Sequence, residues 1–250
     1  MKKLASSFCS AVIFYTILAL PLTWTNCWTR IARWATFIGL IIGGLLGLSD
    51  LLLQYLGLSS LTRSALITAL WLGITGGLHL DGAMDTTDGL AVTDPERRLE
   101  VMKDSATGAF GAMVAIIIIL LKTAILSETT QDSWLILMFA AGWGRWGQLI
   151  AIALYPYARE TGKGAFHKEN MQVFPDVCLG SGLIVVSSIV MLFLKAFSLW
   201  GMLLIISGCA IIALLPGYYF FSQLQGHTGD TYGAVVEWTE VLILLWLTIF

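Results

Sequence analysis

Three aspartates, Asp81, Asp85 and Asp88, stand in the stretch HLDGAMDTTDG (79–89), directly after the apolar run from Ala65 to Leu78. Spaced i, i+4 and i+7, they share one face of a helix. Carboxylates about 6 Å apart repel by roughly 3 kcal/mol per pair at an effective dielectric of 20, and no lysine or arginine follows until Arg97. A divalent cation cancels that cost, and oxygen-only ligands suit Mg²⁺ or Mn²⁺. Because Mg²⁺ is commonly held by one or two carboxylates together with substrate phosphates, the ladder predicts a metal site that handles a diphosphate. Gly82 and Gly89 allow a second backbone to come close or the helix to break.

Other polar residues stand out against apolar surroundings. In GHTGDTYGAVVEWTE (226–240), Asp230 occupies a glycine-rich turn with Gly229 and Gly233, where it offers a further metal ligand or a base. Thr231 is a candidate helix cap, and Glu237 and Glu240 enter the next apolar helix at i and i+3. Arg145 lies deep in AAGWGRWGQLIAIAL, flanked by Gly142, Gly144 and Gly147. A charge there faces a cavity or a partner. Its planar fork suits a phosphate, the alternative being an ion pair with Glu237 or Glu240. In DPERRLEVMKDSATGAFG (94–111), Asp94-Pro95 opens a short amphipathic helix, and Asp104 and Ser105 are expected to cap the following span. Arg97, Arg98 and Lys103 either meet phosphates or form a snorkelling rim; YARETGKG (157–164) adds Arg159 and Lys163. His79, His167 and His227 have no mutual ligand spacing and stay outside the metal set. The four cysteines form no CxxC pair and read as small hydrophobes.

The elements that must carry these residues are membrane helices. Hydrophobic residues make up 57% of the 250 and charged ones 12%, half the charge of an average soluble domain. With about 20 apolar residues needed per crossing, the hydrophobic runs predict an all-α polytopic bundle of about seven spans, near 34–56, 64–80, 106–126, 134–155, 177–195, 200–221 and 233–250. An amino-terminal helix over 8–20 is too short to cross and reads as a retained interfacial or re-entrant segment. One membrane domain, 1–250, accounts for the chain. The net charge of −2 gives no basic surface for nucleic acid. Alternation of the spans brings 81–105, 157–176 and 222–232 to one side, with Lys2, Lys3, Arg30, Arg33, Arg97, Arg98, Lys103, Arg159, Lys163 and Lys168. The other side receives Arg63, Lys122 and Lys195. The positive-inside rule makes the first side cytoplasmic.

GGLHLDGAMDTTDG (76–89), RRLEVMKDSATGAFG (97–111), YARETGKG (157–164) and GHTGDTYGAVVEWTE (226–240) together resemble the cobalamin synthase family, in order and over nearly the whole chain. Ala83-Met84 departs from the family's more usual Leu-Ala and leaves the acidic ladder intact. The resemblance implies an enzyme of the cytoplasmic (inner) membrane that transfers the cobinamide phosphoryl group of adenosylcobinamide-GDP to α-ribazole or its 5′-phosphate, with release of GMP and a need for Mg²⁺. On that reading Asp81, Asp85 and Asp88, with Asp230, hold the metal. Arg145 and Lys103 neutralise phosphate oxygens, and Asp88 or Asp230 accepts the hydroxyl proton. Arg97, Arg98, Asp104, Arg159, Gly229, Thr231, Glu237 and Glu240 line the substrates. A CDP-alcohol-type phosphotransferase would carry DGxxAR, which is absent. A cation transporter would spread its acids through the spans, whereas these cluster at one face. A homo-oligomer stays open.

Overall fold

The computed structural model describes residues 2–250 except 105, 130–132, 160, 161, 163, 196 and 197, and the side chain of Lys195. The expectations for Ser105 and Lys163 therefore fall outside the described residues. The chain folds as α1 (Lys2–Tyr15), α2 (Ala35–Tyr55), α3 (Ser60–Thr75), α4 (Leu78–Leu90), α5 (Pro95–Val101), α6 (Ala109–Glu128), α7 (Ser133–Leu154), α8 (Ala165–Asn170), α9 (Val173–Lys195), α10 (Leu199–Leu224) and α11 (Gly229–Leu247), with no β-strand among the described residues. At 14 residues, or about 21 Å, α1 is too short to cross, and it docks by its end on the α3–α4 elbow through Ile17 N–H to Ile74 O, 2.9 Å.

Five helical segments have the length and apolar character to cross a membrane: Ile31–Tyr55, Ala109–Glu128, Ser133–Leu154, Val173–Leu194 and Leu199–Leu224. Counting α3 and α4 as one broken span makes six. The all-α membrane bundle stands as expected, with fewer than the seven crossings read from hydropathy. The two segments that differ are 64–80 and 233–250. The first breaks after Thr75, where Gly76 and Gly77 have φ of +61° and +68° and α4 leaves α3 at 89°. Two successive left-handed residues are a conformation that essentially only glycine supplies. At 13 residues, about 20 Å long, α4 does not cross alone.

The second segment becomes α11, which is buried on nearly every side against α7, α4, α10 and α6. Its burial explains why it carries acids. Lys122 of α6 bonds Glu237 Oε2 at 2.7 Å and Glu240 Oε2 at 2.6 Å, with its ammonium 4.2 Å from the Trp71 ring centroid. All three charged side chains are sealed from solvent. Lys122 thus belongs to the bundle interior and not to the outer loops to which the alternation assigned it, because a buried charge is tolerable only when paired.

Around this centre, α2 lies directly on α7: a side chain at Gly39, Gly43 or Gly47 would meet backbone of Ala141, Leu137 or Trp134. Small residues at every fourth position let two membrane helices touch backbone to backbone. The two ends of the bundle are chemically distinct. At one, Arg63 Nε pairs with Asp50 at 3.1 Å, Ser133 Oγ donates to Asp50, and Ser60 Oγ donates to Ser127 O. Asp50 is a buried ion-pair partner there. The other end holds the acidic ladder.

Lys122→Met should lower stability by about 3–5 kcal/mol, since it strands two carboxylates without a partner. The triple variant with Glu237→Gln and Glu240→Gln should recover most of that loss. Thermal unfolding in detergent checks both.

Candidate active site

The site is built where α4 crosses the start of α11. A Cβ on Gly82 would lie 2.5 Å from Asp230 O, and one on Gly233 would lie 3.0 Å from His79 O. Glycine at both positions lets the two backbones meet and brings Asp81 and Asp85 of α4 to the same place as Asp230. Asp230 stands in the first turn of α11, whose start is fixed by a capping box. Thr228 Oγ1 accepts from Thr231 N–H at 3.2 Å, and Thr231 Oγ1 accepts from Thr228 N–H at 2.8 Å. Thr228, not Thr231, is the cap residue; the Thr231 side chain is fully buried in that box, which removes it from the substrate-facing set.

Residues 155–159 and Gly164 close the other side. Ala158 N–H donates to His227 O at 2.7 Å and His227 N–H to Pro156 O at 2.9 Å, while Gly164 packs on Gly229. This backbone stitch delivers Arg159, whose Nη1 reaches Asp230 Oδ2 at 3.1 Å and whose Nη2 bonds Leu99 O at 3.4 Å. The three polar segments predicted to share one side are thereby joined, since Arg98 also ties the loop after α4 to the end of α10 through Val92 O and Gln223 O.

Asp88 has a different environment from its neighbours in the ladder. Its Oδ2 accepts from Gly108 N–H and its Oδ1 from Gly111 N–H, each at 2.8 Å. These are free amides of the first turn of α6, so Asp88 caps that helix from across space, and its negative charge meets the helix's positive end. Asp104, expected to cap α6, accepts instead from Ala106 N–H in its own turn. Asp88 is a clamp between α4 and α6, which leaves Asp81, Asp85 and Asp230 as the acids facing the opening. There Asp81 is exposed and Asp85 and Asp230 half-buried.

The electrostatics are unbalanced. Burial first, then the charges of Asp81, Asp230 and Asp88, push the Asp85 carboxyl up to about 6. Burial also raises Asp230, against the pull of Arg159 and the Thr228 hydroxyl. Among the described residues no three histidine, cysteine or acidic side chains are gathered tightly enough to cage a metal by themselves. A pair of carboxylates completed by phosphate oxygens is the arrangement this crowding fits. Beside it opens a cavity of about 130 Å³ with Asp81, Gly82, Gly229, Asp230 and Gly233 at its edge.

Several predicted contacts are elsewhere. Glu237 and Glu240 are consumed by Lys122, so they do not reach substrate. Arg145 is 1% exposed, with Nη2 3.5 Å from His79 Nδ1 and its guanidinium 5.4 Å from the Tyr15 ring centroid. It supports the site from behind and does not meet phosphates at the surface. Arg97, Lys103 and Asp104 are exposed on the rim formed by α5 and the loop that follows. The cavity adds side chains that sequence reading left out, His79, Gln148, His167 and Tyr232. They come from α4, α7, α8 and α11, so only tertiary packing unites them.

The described helices form a multi-pass bundle that gathers aspartates, an Arg–Asp pair and a basic rim at one end. Residues 7–248 match the family described as Cobalamin-5-phosphate synthase, and the chain belongs to that family. It is 56% identical to the protein named adenosylcobinamide-GDP ribazoletransferase of Trichormus variabilis, over all of this chain and 99% of that one. It is 51% identical to the Synechocystis protein of the same name, covering 96% and 93% of the two chains. The likeness extends to Desulfitobacterium hafniense, at 39% identity over 87% and 85%. No solved structure matches the chain. Membership makes the chain a membrane transferase of cobalamin biosynthesis and does not favour the CDP-alcohol or transporter alternatives.

Asp88→Asn removes one of the two acceptors that cap α6 and should cost about 1–2 kcal/mol. Asp85→Asn, which relieves like-charge crowding, should leave stability unchanged or raise it. Metal-free thermal melts should therefore separate the two variants, with a lowered midpoint for Asp88→Asn and no lowering for Asp85→Asn.

Proposed function

We propose that the chain passes the cobinamide phosphoryl group of adenosylcobinamide-GDP to α-ribazole or its 5′-phosphate, with GMP leaving. The observation that carries this reading is the convergence of Asp81, Asp85 and Asp230 at the glycine crossing. It occurs in a chain 56% identical to a relative named for that transfer. Asp81 and Asp85 would hold Mg²⁺, on the helix that Asp88 anchors. When bound, the cation neutralises the diphosphate and the charge that builds on departing GMP.

The chain's own residues position the rest. Asp230 is the base: Arg159 and Thr228 orient its carboxylate, whereas both oxygens of Asp88 are occupied by amides. It takes the proton of the ribose 3′-hydroxyl as that oxygen attacks the cobinamide-side phosphorus in line with the leaving group. The new P–O bond forms as the bond to the GMP phosphate oxygen breaks, and GMP departs with that electron pair. Arg97 and Lys103 on the rim draw the anionic donor to the opening.

The opening faces the cytoplasm in this reading, across the inner membrane. With Lys122 paired internally, the described basic residues outside the bundle core lie overwhelmingly at the acidic end, which supports that orientation.

EDTA should abolish GMP release by the purified protein and Mg²⁺ restore it. Asp85→Asn should lower release by about 10²–10³-fold with its melting temperature intact; normal turnover would remove the ladder from the mechanism. In inside-out vesicles, Lys103→Cys in a cysteine-free background should react with an impermeant maleimide. Labelling confined to right-side-out vesicles would reverse the topology.

A further inference from the structure

Behind the aspartates, the cavity is lined by polar side chains that no described residue satisfies. His79 and Tyr232 are 1% exposed, and Gln148 and His167 4%. Among the described residues, His79 Nε2, Gln148 Oε1, both ring nitrogens of His167 and the Tyr232 hydroxyl have no hydrogen-bond partner. Buried polar atoms are almost always paired. Four such side chains, brought from four helices to one void, mark a place that a ligand completes.

The chemistry of that ligand follows from the walls. Arg145 can only donate, so its contact at 3.5 Å makes His79 Nδ1 an acceptor and leaves the proton on Nε2. His79 is therefore a neutral ring presenting a donor. Burial takes His167 down to about 3, so it too is neutral, with one donor and one acceptor. Phe14 meets the His167 ring edge-on with centroids 4.8 Å apart, which gives the void an aromatic wall. Among the described lining residues the charged ones are Asp81 and Asp230, at the mouth, while Arg145 stands behind the wall that His79 forms. At about 130 Å³ the space is close to the roughly 150 Å³ void known to take up benzene. A small, flat, uncharged ring with polar nitrogens fits, whereas the carboxylates at the mouth disfavour a phosphate.

We propose that this cavity seats the azole base of the acceptor nucleoside, its imine nitrogen accepting from His79 Nε2–H, so that the ribose emerges between Asp81 and Asp230. The assignment rests on the transfer reading above and adds what that reading lacks, a reason for the acceptor hydroxyl to arrive beside Asp230. Arg145 is then a positioning residue that fixes the His79 tautomer from behind.

The test uses the full-length protein in detergent with benzimidazole as the probe, without donor or metal, followed by calorimetric titration. Saturable one-to-one binding is expected, displaced by α-ribazole and not by adenosylcobinamide-GDP. His79→Phe and Gln148→Leu should each weaken it about tenfold, the effect of one lost hydrogen bond. Absence of saturable binding, displacement by the donor instead of the acceptor, or unweakened binding by both variants overturns the site. Should a variant fail to melt cooperatively, displacement on the unsubstituted protein decides alone. No turnover is needed, so the two readings fail separately. GMP release without azole binding removes this cavity's role, whereas azole binding without GMP release removes the transfer reading.

Discussion

The backbone-to-backbone crossing of α4 and α11 is the contact on which the functional end of this bundle depends. Gly82 against Asp230 O and Gly233 against His79 O leave no room for even a methyl group. Two acids from one helix and one from another therefore share a single opening. The approach is set further back, by the left-handed pair Gly76–Gly77, which turns α4 through 89° away from α3 and lays it across the start of α11. Asp88 then fastens the far end of α4 to the first turn of α6. The elbow, the crossing and the clamp fix one short helix at three points, and that rigidity keeps mutually repelling carboxylates in place.

Charge is divided between two systems that never mix. In the core, Lys122 is paired with both Glu237 and Glu240 under an aromatic ring, where the low dielectric strengthens the attraction. At the opening, Asp81, Asp85 and Asp230 have only partial compensation, from Arg159, and burial together with the neighbouring carboxylates pushes the Asp85 carboxyl up to about 6. The first arrangement is closed and structural. The second is open and short of positive charge, which is the condition for taking up a cation with an anionic substrate.

Most of the site's acidic chemistry was legible in the sequence, because carboxylate spacing on a helix is local information. The three-residue ladder, the separate Asp230 turn and the Asp94-Pro95 helix start all follow from period and cap chemistry. What local pattern does not carry is the partner of a charge. Asp88 differs from Asp85 only by the amides of α6 that reach it from twenty and more residues away. Glu237 and Glu240 look like exposed ligands until Lys122 arrives from another helix. Arg145 looks like a phosphate clamp until burial places it behind His79. The histidines show no ligand spacing along the chain, since His79 and His167 meet only through packing. Hydropathy likewise counted α11 as a span without revealing that its neighbours are protein on nearly every side.

The buried triad also constrains how the molecule is made. Each ionised residue at the centre of a helix resists transfer from the translocon into lipid by roughly 2.5–3.5 kcal/mol, and α11 carries two glutamates in its interior. Because it follows α6 in the chain, it reaches the membrane after Lys122 has been synthesised. Its entry is then partner-assisted: the earlier helices offer a lined slot with the counter-charge in place. The segment that needs Lys122 as its counter-charge is also the one that delivers Asp230 to the opening.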